Sequence, residues 1–182
     1  ADVFLDLKFH DIPNTVAQAV RAAVKLGVSM MNVHASGGLQ MMQEACMASA
    51  DAAQKCGMPS PKLIAVTLLT SFGEKEAREQ IGLAKSIEKT ALHYAQLAQT
   101  AGLDGVVASA LEAEKIKKNC GKSFLVVTPG IRPEGSNPDD QERVLTPKKA
   151  FEAGSNYIVI GRPITKADDP KEAALGILSE LE

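Results

Sequence analysis

The stretch "FLDLKFHDIPNT", Phe4 to Thr15, decides how the chain is read. Side chains alternate faces along a β-strand. Val3, Leu5, Leu7 and Phe9 therefore share an apolar face, expected to meet helices, while Phe4, Asp6, Lys8 and His10 share the face expected to line an interior. Asp6 and Lys8 become same-face neighbours. Asp11 falls out of phase, just before Ile12 and Pro13, where the chain must leave the strand. A purely structural ion pair is the plainer explanation of D-x-K-x-x-D. Yet desolvation commonly offsets the Coulomb gain of a buried pair, so a packed strand has little structural reason to choose this pattern. Ionisable groups clustered in an apolar setting point to a functional site. His10 is read as a hydrogen-bonded structural histidine beside it.

Similar runs recur outward from this one. "MMNVHA" (30–35), "LIAVTLL" (63–69), "GVVAS" (105–109), "FLVVTP" (124–129) and "NYIVIG" (156–161) join "VFLDLKF" (3–9) as six strand candidates. Amphipathic stretches separate them. "NTVAQAVRAAVKLG" puts Val16, Val20, Ala23 and Val24 on one helical face and stops at Gly27, and "SIEKTALHYAQLAQTAG" stops at Gly102. "TPKKAFEAG" opens with Thr146 as N-cap and Pro147 as first helical residue. Such alternation predicts parallel strands joined by right-handed crossovers, and nearly all-apolar strands fit a sheet covered by helices.

Six strands suit either an open doubly wound sheet or part of an eight-stranded barrel. No G-x-G-x-x-G turn follows any strand. Polar residues instead recur at the strand C-termini: Lys8 and Asp11, His34 and Ser36, Thr67 and Thr70, Ser109, Thr128 with Arg132, and Gly161 with Arg162. Functional residues of α/β barrels sit at those ends, so the barrel is preferred. A complete barrel takes about 250 residues, and this chain has 182. Residues 1–182 are read as a single domain, three-quarters of a barrel.

Composition narrows the function. A net charge of -2 offers no basic field for nucleic acid, and with no Trp and only two Tyr and five Phe there is no stacking platform for single strands. Cys46, Cys56 and Cys120 form no C-x-x-C pair, which suggests neither a zinc knuckle nor a disulfide framework and fits a reducing cytosol. No apolar run reaches the ~18 residues of a membrane span.

The chemistry follows from the trio. Flanking carboxylates favour the ammonium form of Lys8, making it a proton donor, not a Schiff-base nucleophile. Such an acid suits a reaction that generates a carbanion. Asp6 beside the reacting centre would oppose a substrate carboxylate until that charge left as CO2. Decarboxylation followed by protonation fits without a cofactor.

"FLDLKFHDIPNT", "NVHASGG", "VTLLTS", "DGVVASALEA", "VTPGIRPEG", "DDQERV" and "YIVIGRPIT", in this order along essentially the whole chain, resemble the bacterial orotidine 5'-phosphate decarboxylase family. The resemblance implies a (β/α)8 TIM barrel of the ribulose-phosphate-binding type, of which strands three to eight are present here. It implies a cytoplasmic carbon–carbon lyase that converts orotidine 5'-phosphate to UMP and CO2 in the last step of pyrimidine nucleotide synthesis. It implies no metal, no cofactor, no membrane or nucleic-acid partner, and a homodimer with shared active sites. Residue by residue, Lys8 matches the lysine that protonates C6 and Asp6 the carboxylate beside the departing CO2. Asp11 and Thr15 match residues that reach into the partner's site. Thr70 and Ser109 match positions near the nucleotide. Arg132, Gln141, Gly161 and Arg162 match the phosphate-binding set. The last assignment has a physical basis of its own: a glycine permits close approach, and an arginine can grip phosphate in a bidentate fork. The polar stretch "GIRPEGSNPDDQERV" reads as a lid carrying Gln141.

The family places two strands before "FLDLK", one ending in a ribose-binding aspartate and one in a second lysine, whereas this sequence begins at Ala1. Either the sequence is part of a longer protein or it is a truncated product, and alone it is not expected to be stable or active. Two rivals remain. A 3-keto-L-gulonate 6-phosphate decarboxylase-like enzyme would share D-x-K-x-x-D but use magnesium. A non-catalytic phosphate-ligand-binding barrel remnant would leave Lys8 idle.

Overall fold

A computed structural model describes residues 2–133 and 145–181. Among them, six parallel strands pair in chain order: β1 (Phe4–Phe9), β2 (Met30–His34), β3 (Lys62–Val66), β4 (Gly105–Val107), β5 (Leu125–Thr128) and β6 (Tyr157–Ile158). The crossovers carry α1 (Pro13–Val24), α2 (Gly38–Cys56), α3 (Glu74–Gln80) with α4 (Ile87–Ala101), α5 (Ala110–Cys120) and α6 (Pro147–Glu152), and the short α7 (Arg162–Thr165) and α8 (Pro170–Ser179) follow β6. β1 and β6 stand at opposite ends of this order. Yet Phe4 and the Tyr157–Val159 stretch line one cavity of about 440 Å³ together with Met30, Lys62 and Val127. The sheet therefore curls back on itself as a barrel wall does, and the architecture is the α/β barrel type expected.

Strand parity sorts the core into two layers. Met31, Val33, Leu63, Ala65, Val106 and Val126 point outward and pack under the helices. Met30, Ile64, Val66, Val107 and Val127 point inward, with Phe4 and Leu125 against them. Burial of one apolar stripe explains the helices locally. α1 carries Pro at its first turn and buries Val16, Val20, Ala23 and Val24. Ser86 caps α4 by accepting the Lys89 N–H, and Gly102 ends that helix in the left-handed conformation. Thr146 caps α6 ahead of Pro147.

Two sequence expectations change. Leu5 and Phe9 pack against the helix-side core, but Val3 and Leu7, assigned to the same face, are 50% and 59% exposed. Several strands are also shorter than their apolar runs. The 63–69 run stops at Val66 and the 156–161 run pairs only at Tyr157–Ile158. At Thr67 the backbone N–H still donates to the Val107 carbonyl at 3.0 Å, and the hydroxyl donates to the same oxygen at 3.0 Å.

Candidate active site

The site grows from an irregularity in β1. Leu5 pairs with Met31, but the next partners are Phe9 and Val33, so three residues of β1 (Asp6, Leu7 and Lys8) stand against one of β2 (Asn32). Bulges re-aim side chains and concentrate beside active sites. Lys8 stands inside this one, and among the described residues it is the one non-glycine with a positive φ, 53°. Its backbone N–H donates to Oδ1 of Asn32 at 2.8 Å. Its Nζ donates to Oδ2 of Asp6 at 2.8 Å, the two side chains being 36% and 44% exposed. Asn32 closes the triangle, Nδ2 donating to Asp6 Oδ1 at 2.6 Å. The lysine and carboxylate thus meet as strand parity requires, open to solvent on one side and held from below by a buried amide.

Two histidines flank the pair. The His10 ring lies 5.3 Å from that of His34, the last residue of β2. Burial pushes the pKa of His34 below the usual histidine range, with His10 and Lys8 adding to the effect and Asp6 opposing it. An uncharged imidazole beside Lys8 follows. Asp11 and Thr15 are exposed beyond the strand, and Asp11 Oδ1 accepts the Ile12 N–H at 2.6 Å.

The other expected residues lie after later strands. Thr70, in the loop after β3, is buried. Ser109 is buried after β4 and caps α5 by accepting the Leu111 N–H, which leaves its own O–H to donate. Arg132, after β5, is 6% exposed, and its Nη1 donates to the Ile131 carbonyl at 3.0 Å. Gly161 precedes α7, and apart from its chain neighbours no described residue comes within 4 Å of where a Cβ would sit, so among the described residues the space beside its backbone is open. Arg162 follows, half-buried. Gln141 lies outside the described residues. Thr67 and Thr128, counted among strand-end polar groups, serve the framework: Thr128 Oγ1 shares a hydrogen bond of 2.6 Å with Ser155.

The residue that sequence reasoning missed is Asn32. Its signal was available: in "MMNVH" it shares parity with Met30 and His34 and is the one polar side chain within an otherwise apolar strand before His34. Among the described residues no cluster of three or more His, Cys, Asp or Glu could hold a metal ion, and no helix is long and apolar enough to cross a membrane.

Comparison with known proteins adds the chemistry. A family model described as "Orotidine 5'-phosphate decarboxylase / HUMPS family" matches residues 1–177. The orotidine 5'-phosphate decarboxylase of Moorella thermoacetica is 52% identical over 180 residues, 99% of this chain and 71% of that protein. That of Pseudoalteromonas translucida is 54% identical over 181 residues, 100% of this chain and 75% of that protein. The crystal structure of orotidine 5'-phosphate decarboxylase from Lactobacillus acidophilus matches with a TM-score of 0.85 at 44% identity, covering 100% of this chain and 75% of that one.

Proposed function

The chain belongs to the orotidine 5'-phosphate decarboxylase / HUMPS family, and on that premise we propose that the native protein converts orotidine 5'-phosphate to UMP and CO2 without a cofactor, in the last step of pyrimidine nucleotide synthesis. The observation that carries this reading is the Lys8–Asp6 contact of 2.8 Å at an open strand end. With substrate bound, the Asp6 carboxylate faces the substrate carboxylate, and their repulsion is relieved as the C6–carboxyl bond breaks. The electron pair stays on C6, CO2 leaves, and the Lys8 ammonium first stabilises the carbanion and then transfers its proton to it. Solvent reprotonates Lys8, which its partial exposure permits.

Gly161 and Arg162, with Arg132 and Gln141, form the phosphate grip in this reading, and Thr70 and Ser109 bound the nucleotide. Asp11 and Thr15 complete the site of a second subunit. In support, the Asp11–Thr15 segment is largely exposed and presents Ile12 at 68% exposure, an apolar side chain suited to an interface. The enzyme is placed in the cytoplasm, which suits its three free thiols.

The protein expressed from its own gene is expected to convert orotidine 5'-phosphate to UMP in the presence of a metal chelator. No conversion would sink the reading, and magnesium-dependent decarboxylation of 3-keto-L-gulonate 6-phosphate in its place would favour enediolate chemistry. The shared site has its own test. Verified mixed dimers of Lys8→Ala and Asp11→Ala subunits should regain part of the activity that each variant lacks alone, since one of the two sites is intact. Mixed dimers as dead as their parents would place Asp11 in its own subunit's site.

A further inference from the structure

We infer that Asn32 is the positioning residue of this site: one buried carboxamide holds the Asp6 carboxylate with its nitrogen and the left-handed backbone of Lys8 with its oxygen, and so fixes where the Lys8 ammonium stands. The inference rests on the proposed decarboxylation and adds a residue outside the Asp6, Lys8 and Asp11 array.

Asn32 is fully buried on the inner face of β2. A buried carboxamide needs partners for both ends, and here both ends find them on β1. The Lys8 amide can only donate, which turns the Asn32 oxygen toward it and leaves the NH2 for Asp6. The ladder break between Leu5 and Phe9 lies opposite this side chain. The Lys8 N–H therefore bonds a side chain where it lies outside regular β pairing, and the bulge is pinned by that bond. Asp6 is held at both oxygens, one by Asn32 and one by Lys8. No other residue type of this size satisfies both partners. Leucine removes both bonds. Aspartate keeps the oxygen for the Lys8 amide but sets a second carboxylate against Asp6. The titratable groups around position 32 are Asp6 and Lys8 from β1 and His34 from its own strand, with His10 against His34. Its partner in register on β3, Ile64, carries none.

The test compares the protein expressed from its own gene with Asn32→Asp and Asn32→Leu, following decarboxylation from about pH 5 to about pH 9. In Asn32→Asp a protonated carboxyl at position 32 still donates to Asp6, whereas an ionised one repels it. Two carboxyls sharing a site retain a proton well above the usual carboxylate range. The kcat of this variant should therefore lie within about tenfold of the wild type at the acid end and fall as pH rises through an ionisation that the wild type lacks. Asn32→Leu should lose roughly 10²-fold in kcat at every pH, the scale of an ångström of misplacement, with KM little changed.

A constant ratio between Asn32→Asp and wild type across this range overturns the inference, whatever Asn32→Leu does. Melting temperature is a second reading of the same carboxyl pair. A group whose folded-state pKa is raised adds stability only below that value, so the melting temperature of Asn32→Asp should fall relative to wild type as pH rises. A pH-independent difference overturns the inference. If the wild type does not decarboxylate orotidine 5'-phosphate, the proposed function fails, and the melting comparison still decides whether Asn32 holds Asp6.

Discussion

Two lysines of this chain are each held by an asparagine, and they are held at opposite ends. At the end of β1, Asn32 takes the backbone N–H of Lys8 and leaves the ammonium to the half-exposed Asp6. At the joint of α5 with β5 and β6, Asn156 takes the ammonium of Lys117 itself at 2.6 Å, and the carbonyls of Phe124 and Lys122 take its other hydrogens at 2.7 and 3.0 Å. The same Asn156 oxygen also accepts the Val126 N–H. One lysine has all three donors spent on the framework and a pKa lowered by burial. The other has its backbone distorted so that its ammonium can stand over a carboxylate at an opening. Charge alone does not separate a structural lysine from the proposed proton donor; these two differ in where their hydrogen-bond donors are spent.

The largest test of that contrast is Lys8→Gly. Decarboxylation should fall by at least the ~10²–10⁴-fold of a lost general acid, with UMP binding largely kept. Stability should not fall with it. A left-handed non-glycine residue costs about 1–2 kcal/mol, and glycine adopts φ 53° without that cost. Asp6, 44% exposed, stays solvated when its partner goes. A variant that melts well below wild type would mean the Lys8–Asp6 pair is there to hold the fold.

Lys117→Met should do the reverse. It leaves the Asn156 oxygen and two carbonyls without a charged donor, and hydrogen bonds to charged groups contribute about 1.5–3 kcal/mol. A loss of about 2 kcal/mol would lower the melting temperature by roughly 4–8 °C in a domain of this size, with kcat near that of the wild type. Lost kcat at unchanged stability would break the contrast from the other side.

The sequence carried the frame of this site better than its fine placement. All six strands were legible because β-rich apolar runs alternate with capped helices, and Asp6 and Lys8 share a face because a strand has a period of two. Three features were not legible. The bulge in β1 arises from pairing with β2, and nothing in "FLDLKF" marks it. Asn32 looked like part of an apolar strand, although its parity with His34 was open to view. Thr67 and Thr128 looked like site residues because a hydroxyl at a strand end can turn either way, and only the neighbouring Val107 carbonyl and Ser155 hydroxyl decide. Helix α2 also escaped individual notice. Much of its buried stripe is alanine, with Met41 and Met42 the large members, a weak pattern to the eye.

The smallest expected effect concerns His34, whose surroundings include Lys8, the proposed proton donor. Its folded-state pKa is lowered, by burial first and then by His10 and Lys8. The unfolded chain, with an ordinary histidine value of about 6.5, therefore binds more protons than the folded one as pH drops through that value. The stability that the neutral imidazole contributes is present above about pH 6.5 and is lost as pH falls through the lowered folded-state value. His34→Gln cannot take up that proton, so its melting temperature should decline less steeply than the wild type's on acidification, while the two proteins stay close at neutral pH. The comparison is best made with His10→Gln as a companion. His10 is exposed, and its removal should only soften the slope by withdrawing one of the charges that act on His34. Parallel melting curves for wild type and His34→Gln across the acid range would refute the assignment. A shallower slope would show that a neutral ring is kept next to the Lys8 ammonium at neutral pH, so that no second cation competes for Asp6.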